Sequence, residues 1–410
     1  MEKKVSLIYA QSGGPTSVIN ASAYGVIEKA KEFGIEVYAS IHGIDGILKG
    51  NISKISNEDP SEIDRLRYTP ASAFGSCRKK LPRCSEDDSA YKIILDVFKK
   101  LNVKYFVYNG GNDSMNTCDK IAEFMKLNNY DCQVVGIPKT IDNDLLCTDH
   151  CPGYGSAAKF VATTIKELAL DTAVYAHGRV TVVEVMGRDA GWLTASSALA
   201  CASGDGPDLI YLPEKPFSLD DFVQKCKEVY DKKHTCLVAV SEGIRDKDGV
   251  YINSYSTETV KDNFNNVQLG GVCAFLASYI TNKTGIKTRS VELSLLQRCA
   301  SHIRSLTDTE EAIEVGRQAV LACVENDGGN MIAIKRISSS PYAIEYVRVP
   351  LEKISNGTQS MPDKYISEDG SFVTKEFIEY AQPLIMGEFD IPYEHGVPRY
   401  AILKNEKVEL

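Results

Sequence analysis

From Val5 to Gly243 the chain repeats one pattern: a short apolar run rich in β-branched residues, a turn, then a stretch whose apolar positions recur at helical spacing. Val5–Ala10 leads into Ser12-Gly13-Gly14-Pro15-Thr16-Ser17 and a helical pattern reaching Phe33, and Glu36–Ile41 reads as the next strand. Tyr105–Tyr108 leads into Asn109-Gly110-Gly111-Asn112-Asp113-Ser114 and a helix to about Leu127; Gln133–Ile137 leads into Pro138-Lys139-Thr140-Ile141-Asp142-Asn143-Asp144. Arg179–Val185 enters Met186-Gly187-Arg188 and a helix through Ala200, Leu209–Leu212 is a short strand, and Cys236–Val240 ends at Ser241-Glu242-Gly243. Met331–Ile337 reads as a further strand, whereas Asn51–Arg67 reads as a polar surface excursion. Strands alternating with helices predict right-handed crossovers and a largely parallel, doubly wound α/β fold. Ligands of such sheets bind beyond the carboxyl ends of the strands, where the turns quoted above are expected.

Those turns supply candidate chemistry. Glycines at 13–14 and 110–111 let a phosphate approach the backbone, and the helix that follows offers free N–H groups and a favourable dipole. Each turn alone is a weak signal, but two on one sheet suit the two sides of a polyphosphate. Asp142 and Asp144 follow an apolar run that reads as a central strand, and in an extended segment their side chains point the same way. Carboxylates at a buried strand end suit a general base beside a metal or proton-network partner. Arg78, Arg179, Arg188, Arg289 and Arg298, with Lys79, Lys80 and Arg83, abut these strand ends and turns, as recognition of phosphate monoesters requires.

Composition narrows the class. A chain of 410 residues, 43% hydrophobic and 25% charged, is long enough for two globular domains. The net charge of −9 argues against a nucleic-acid partner. No apolar stretch approaches the ~20 residues that span a membrane, and Val5–Ala10 is too short for a signal peptide, so a cytoplasmic protein is expected. The 12 cysteines contain no C-x-x-C pair, and Cys147-x-x-x-Cys151 around His150 is a poor zinc site; reduced, mostly buried thiols are expected. Gly153-Tyr154-Gly155-Ser156-Ala157-Ala158 matches a dinucleotide fingerprint but follows no predicted strand.

In this order the motifs resemble the phosphofructokinase family from about Val5 to about Met331. The resemblance rests on Gly13–Asn20, Gly75-Ser76-Cys77-Arg78, Gly110–Ser114, Pro138–Asp144, Arg179, Met186-Gly187-Arg188, Glu242-Gly243, Arg289 and Gln297-Arg298. It implies two Rossmann-like α/β domains with the active site in the cleft between them. Residues 1–153 and roughly 297–330 would form the phosphoryl-donor domain, 154–296 the sugar-phosphate domain, and 331–410 an extension packing on both. It implies Asp142 as the base for the 1-hydroxyl of fructose 6-phosphate, supported by Asp144, with Lys139 and Arg188 also catalytic. Gly13, Gly14, Arg78, Gly111, Asp113 and Ser114 would bind the donor; Thr140, Arg179, Met186, Gly187, Glu242, Arg289 and Arg298 would hold the sugar phosphate. Arg179 and Arg289 would reach across a subunit interface, so a homodimer or homotetramer is expected. Mg2+ would be held by Asn112, Asp113 and Asp144.

Asp113 and Lys139 stand where ATP-using members carry glycines, which resembles the pyrophosphate-using branch. A carboxylate at 113 would repel an α-phosphate; at ~4 Å such a contact costs about 4 kcal/mol at an effective dielectric near 20. Lys139 supplies a cation to a donor that lacks adenosine. Two departures stand out: Asn112 replaces an acid that helps hold magnesium, and Leu295 replaces a His or Tyr near the 6-phosphate. The expected activity is transfer from pyrophosphate to fructose 6-phosphate. The alternatives are an ATP-dependent kinase of the same fold, a non-catalytic phosphate-binding subunit and a dinucleotide-binding oxidoreductase.

Overall fold

The computed structural model describes residues 4–255, 271–354 and 357–410, and the chain divides into two compact units. Unit 1 comprises Met1–Ser156, Arg298–Thr358 and Met386–Leu410; unit 2 comprises Ala157–Gln297 and Gln359–Ile385. The strands are β1 (Ser6–Gln11), β2 (Glu36–Ser40), β3 (Ile52–Lys54), β4 (Val103–Gly110), β5 (Gln133–Pro138), β6 (Val180–Val185), β7 (Leu209–Tyr211), β8 (Cys236–Ser241), β9 (Thr288–Glu292), β10 (Asn330–Ser339) and β11 (Tyr342–Pro350). The longer helices are α1 (Ile19–Glu32), α2 (Ser89–Leu101), α3 (Asn112–Leu127), α4 (Tyr154–Thr172), α5 (Leu219–Lys233), α6 (Val272–Thr284) and α7 (Leu306–Val324).

Unit 1 is built on a seven-stranded sheet in the order β11-β10-β5-β4-β1-β2-β3. Its centre is parallel, while β2–β3 and β10–β11 are antiparallel pairs at the two edges. Alternate side chains of one strand feed two cores: Ile8 and Ala10 of β1 lie on one face with Phe106 and Tyr108, whereas Leu7 and Tyr9 lie on the other with Val107. Residues of α2 and α3 cover the first face and residues of α1 and α7 the second, the double cover that an all-apolar parallel strand requires. Each fully buried side chain of this size contributes about 1.5–3 kcal/mol, so the sheet forms a stiff platform for its loops.

Unit 2 carries a four-stranded, wholly parallel sheet in the order β7-β8-β6-β9. Its core joins Val180, Val182, Val238 and Val240 of the strands to Phe222, Leu276 and Ile280 of α5 and α6.

Two expectations need correction. Asn51–Arg67 is not a polar excursion: it supplies strand β3, and Ile52, Ile55 and Leu66 are buried. The helix expected through Ala200 is α-helical only over Trp192–Ala195 and continues as a 3-10 helix over Ser196–Ser203. The Ser196 hydroxyl donates to the Leu193 carbonyl at 2.6 Å, one of the local bonds by which serine competes with the helical ladder.

Candidate active site

In unit 1, β5, β4 and β1 are adjacent and parallel, so the turns that follow them lie side by side beyond the carboxyl ends. Between β1 and β4 the winding reverses, since β2 follows on one side of β1 and β4 lies on the other. That is the position at which open α/β sheets take ligands. Gly110 closes the turn after β4: a Cβ there would meet the Ser114 hydroxyl at 2.0 Å. Gly111 then caps the sixteen-residue helix α3, leaving its first N–H groups at the turn.

The turn after β1 is laced to the segment that carries Arg78. The Gly13 N–H donates to the Cys77 carbonyl at 3.0 Å, and the Ser76 hydroxyl donates to the Gly13 carbonyl at 2.7 Å. From the far side comes Lys139, whose backbone N–H donates to the Gly110 carbonyl at 3.0 Å and whose ammonium donates to the Gly14 carbonyl at 2.6 Å. A Cβ on Gly14 would lie 2.9 Å from Arg298 Nη1 and 3.6 Å from Arg78 Nη2. Three cations therefore converge on Gly13–Gly14. Lys139 is only 3% exposed. Burial, with the nearby guanidinium of Arg78, pushes its pKa down to about 8. Burial and Arg78 also lower the pKa of Arg298. Cations held together against their mutual repulsion are the electrostatic mark of an anion site.

The acid loop departs from its expected shape. Asp142 and Asp144 do not lie on an extended segment but flank Asn143, whose φ of 56° makes a turn. The Asn143 side chain accepts the Cys151 N–H at 2.9 Å, and the Thr140 hydroxyl accepts the Asp142 N–H at 3.1 Å, so both acids are set by local bonds. Asn143 lay inside the quoted motif with no role assigned; only its tolerance of a left-handed turn could have revealed one.

The expected magnesium residues separate. Asn112 Nδ2 donates to Asp144 Oδ2 at 3.1 Å, and among the described residues the buried Asn112 Oδ1 accepts no hydrogen bond. An orphaned amide oxygen beside a carboxylate fits a hard cation that takes its other ligands from phosphate and water. Asp113 stands outside this pair: its side chain is 72% exposed and binds Lys80 at 3.0 Å. His150, which lies between Cys147 and Cys151, is engaged by Asp149 and Glu311.

In unit 2, Met186, Gly187 and Arg188 follow β6, and Glu242 follows the neighbouring β8. The Gly187 N–H donates to Glu242 Oε1 at 3.3 Å, and the Met186 N–H donates to Gln297 Oε1 at 3.1 Å. Gly243 is required here, because a Cβ would sit 1.9 Å from the Arg188 carbonyl oxygen. Burial raises the Glu242 pKa, partly offset by the Gly187 N–H and Arg188. Sequence reasoning missed Glu184, a lone acid in the valine-rich β6 that accepts the Cys273 N–H at 2.9 Å, with a pKa raised by burial to about 7.

Not every motif falls at the carboxyl ends. Arg179 immediately precedes β6, and Arg289 is paired with Thr181 near the start of β6. Both therefore belong to the amino end of this sheet, about 20 Å from Met186 and Glu242 across six residues of strand. Arg179 is ion-paired with Asp171 of α4, and Arg289 is exposed.

A parallel α/β platform with glycine turns, convergent cations and a carboxylate loop defines a phosphoryl-transfer fold. The chain matches the phosphofructokinase family over residues 6–323 and belongs to it. It is 41% identical to a Xanthomonas campestris protein named pyrophosphate--fructose 6-phosphate 1-phosphotransferase, over 98% of this chain and 97% of that one. A protein of the same name from Halomonas elongata is also 41% identical, over 98% and 96%. The crystal structure of a pyrophosphate-dependent phosphofructokinase from Marinobacter aquaeolei superposes with a TM-score of 0.90 at 37% identity, covering 99% of this chain and 98% of that one. Among the described residues no helix is long and apolar enough to cross a membrane.

Proposed function

We propose that this chain transfers a phosphoryl group from pyrophosphate to the 1-hydroxyl of fructose 6-phosphate, giving fructose 1,6-bisphosphate and phosphate. The observation that carries the reading is the buried ammonium of Lys139 on Gly14, with Arg78 and Arg298 beside it. A buried ammonium beside an exposed and a half-buried guanidinium is costly alone and is neutralised by two linked phosphates, which bring their charge without an adenosine. The relatives' names support the same donor and acceptor.

In this reading Gly13, Gly14, Arg78, Lys139 and the N-terminus of α3 at Gly111–Ser114 hold the donor. Asp142 takes the proton from the 1-hydroxyl as the oxygen attacks, and the phosphoryl moves against Arg78, Arg188 and Lys139, which spread its developing charge. Thr140, Met186, Gly187 and Glu242 hold the sugar. Arg298 shares the cation cluster of the donor turn, a place that lets it serve both phosphates. Arg179 and Arg289, at the far end of their sheet, serve the 6-phosphate of a neighbouring subunit, so the active form is a homo-oligomer. Asn112 and Asp144 would hold Mg2+, which would shield the charge of the donor oxygens; Asp113 acts on donor size instead.

A coupled assay of the purified protein with Mg2+ tests this. Turnover is expected with pyrophosphate and to be at least a hundredfold weaker with ATP. Turnover with ATP alone overturns the donor assignment, and loss of activity in Asp142→Ala is expected with folding intact.

A further inference from the structure

The segment of residues 69–77 delivers Arg78 to the donor turn, and it contains no helix or strand of its own. Something must hold it, since Ala71 adopts a left-handed φ of 61°. Two elements grip it from different parts of the chain. From α1, the fully buried Asn20 donates its amide to the carbonyls of Thr69 (3.0 Å), Pro70 (3.2 Å) and Ala71 (2.9 Å), and its Oδ1 accepts the Ala73 N–H at 3.0 Å. Gln11 locks the same amide, donating to Asn20 Oδ1 at 2.9 Å. From the C-terminal tail, the Ala401 N–H donates to the Thr69 hydroxyl at 2.9 Å and Asn405 Nδ2 donates to the Ala73 carbonyl at 3.3 Å. Ala73 is thus held at its N–H by Asn20 and at its C=O by Asn405.

The tail is itself fastened. Both oxygens of the Glu58 carboxylate accept from it, from the N–H groups of Lys404 and Asn405, each at 2.8 Å. Glu62 accepts from Arg399 and from the Ile402 N–H, each at 2.7 Å, and the Val408 N–H reaches the Ile52 carbonyl at 2.8 Å. All these residues belong to unit 1, and the tail lies beyond the span matched to the family.

We infer that Asn20 and the tail residue Asn405 are positioning residues for donor binding, acting through the backbone of residues 69–77 to hold Arg78 over Gly14. Asn20 touches backbone and Gln11 rather than the site, so its effect reaches the donor through the segment it holds, chiefly through Arg78 and also through the bonds of Ser76 and Cys77 to Gly13. A displacement of about 1 Å at a positioning contact is worth up to a hundredfold in rate. This inference rests on the pyrophosphate reading for the identity of the donor, and the experiment separates the two.

The test is a double-mutant cycle read as KM and kcat for each substrate. Asn20→Ala is expected to raise the pyrophosphate KM roughly 10- to 100-fold while moving the fructose 6-phosphate KM less than about twofold. In an Arg78→Ala background the same change has a much smaller effect, because the main residue it positions is gone and only the bonds to Gly13 remain. Asn405→Ala, which removes one half-buried bond, is expected to raise the pyrophosphate KM by roughly threefold and likewise to have a much smaller effect once Arg78 is absent; it carries the test if Asn20→Ala does not fold. Effects that multiply fully with Arg78→Ala, or equal rises in both KM values, overturn the inference. Wild-type turnover with ATP alone would remove the pyrophosphate reading instead, and the cycle would then be read on the ATP KM with the same two outcomes.

Discussion

The ammonium of Lys139 meets the carbonyl oxygen of Gly14 at 2.6 Å, joining the loop after β5 to the turn after β1 across the intervening β4. That bond uses one of three ammonium protons and leaves the charge facing Arg78 and Arg298. The cluster needs an anion more than it needs any particular leaving group, which is why donor size is set by what surrounds it.

Donor choice is therefore expected to follow residues 113 and 139. Among the described residues the Asp113 carboxylate pairs with Lys80, in an exposed pair worth at most ~1 kcal/mol, so its removal should leave folding almost untouched. Asp113→Gly with Lys139→Gly is expected to lower kcat/KM for pyrophosphate by roughly 100-fold, the loss of one buried charged contact, and to bring ATP turnover above background. Initial rates with both donors decide it. A variant that loses pyrophosphate activity and gains none with ATP would leave the carboxylate's exclusion of the α-phosphate without support.

A pH dependence follows from the same lysine. With a pKa near 8, Lys139 is charged at neutral pH in the free enzyme and loses its proton as pH rises through 8. Since kcat/KM reports the free enzyme, its value for pyrophosphate should fall above about pH 8. Lys139→Arg should carry that limb beyond the measurable range, because a guanidinium stays charged. Stability runs the other way. Between about pH 8 and the ordinary lysine value the unfolded chain holds a proton the native protein has released, so the ligand-free protein gains stability with rising pH from this group. A pH–rate profile unchanged in Lys139→Arg would assign the alkaline limb elsewhere.

How far the sequence could be read is clear from particular residues. The central strands β1, β4, β5, β6 and β8 were legible as short β-branched apolar runs, and the turns after β1 and β4 follow from their glycines. By contrast, β3 lay in a stretch read as a polar excursion, and β9 and β11, at sheet edges with mixed polar residues, were not predicted. Lys139 was singled out through the family resemblance, but its bond to Gly14 was not foreseen, since nothing local records which strand lies beside which. The acid loop was misread because Asn143 takes a left-handed turn that its neighbours do not require. Arg179 was read at the start of its strand, but nothing in the sequence sets that end apart from the turns that bind ligands; the parallel register of β6 with β9 brings Arg289 to the same amino end. Asn20 and the tail residues act on backbone atoms far away in sequence, and that kind of bond leaves no pattern in the chain.

The position of Arg179 and Arg289 gives a prediction about assembly. If each serves a neighbouring subunit's site, then a chain with Asp142→Ala and a chain with Arg289→Ala complement one another. In a mixed dimer one site lacks both groups, while the other has Asp142 from one chain and Arg289 from its partner. Each variant alone is expected to fall at least a hundredfold in kcat/KM. Refolding the two together should restore about a quarter of wild-type activity, half the molecules being mixed and each carrying one intact site. Mixtures no more active than the separate variants, with mixed oligomers shown to form, would confine Arg289 to its own chain.

The acid loop is anchored just downstream by His150, and this too has a measurable signature. Its ring lies between Asp149 at 2.8 Å and Glu311 of α7 at 2.6 Å, and Glu311 also accepts the Tyr342 hydroxyl at 2.6 Å. Burial alone would push the imidazole pKa down, but the charge of Glu311 and the bonds to Asp149 and Glu311 reverse this and raise it to about 9. The native protein therefore keeps this proton between about pH 6.5 and 9, where the unfolded chain has lost it. Its stabilisation, on the order of 3 kcal/mol, is complete below about pH 6.5 and is lost as pH rises through 9. His150→Gln removes the charge and should lower stability by roughly that amount at pH 6, with a much smaller difference from wild type at pH 9.5. Urea unfolding of both proteins at the two pH values measures it. A gap between them that does not shrink at high pH would show that His150 holds the loop as a neutral ring, by packing and hydrogen bonds alone.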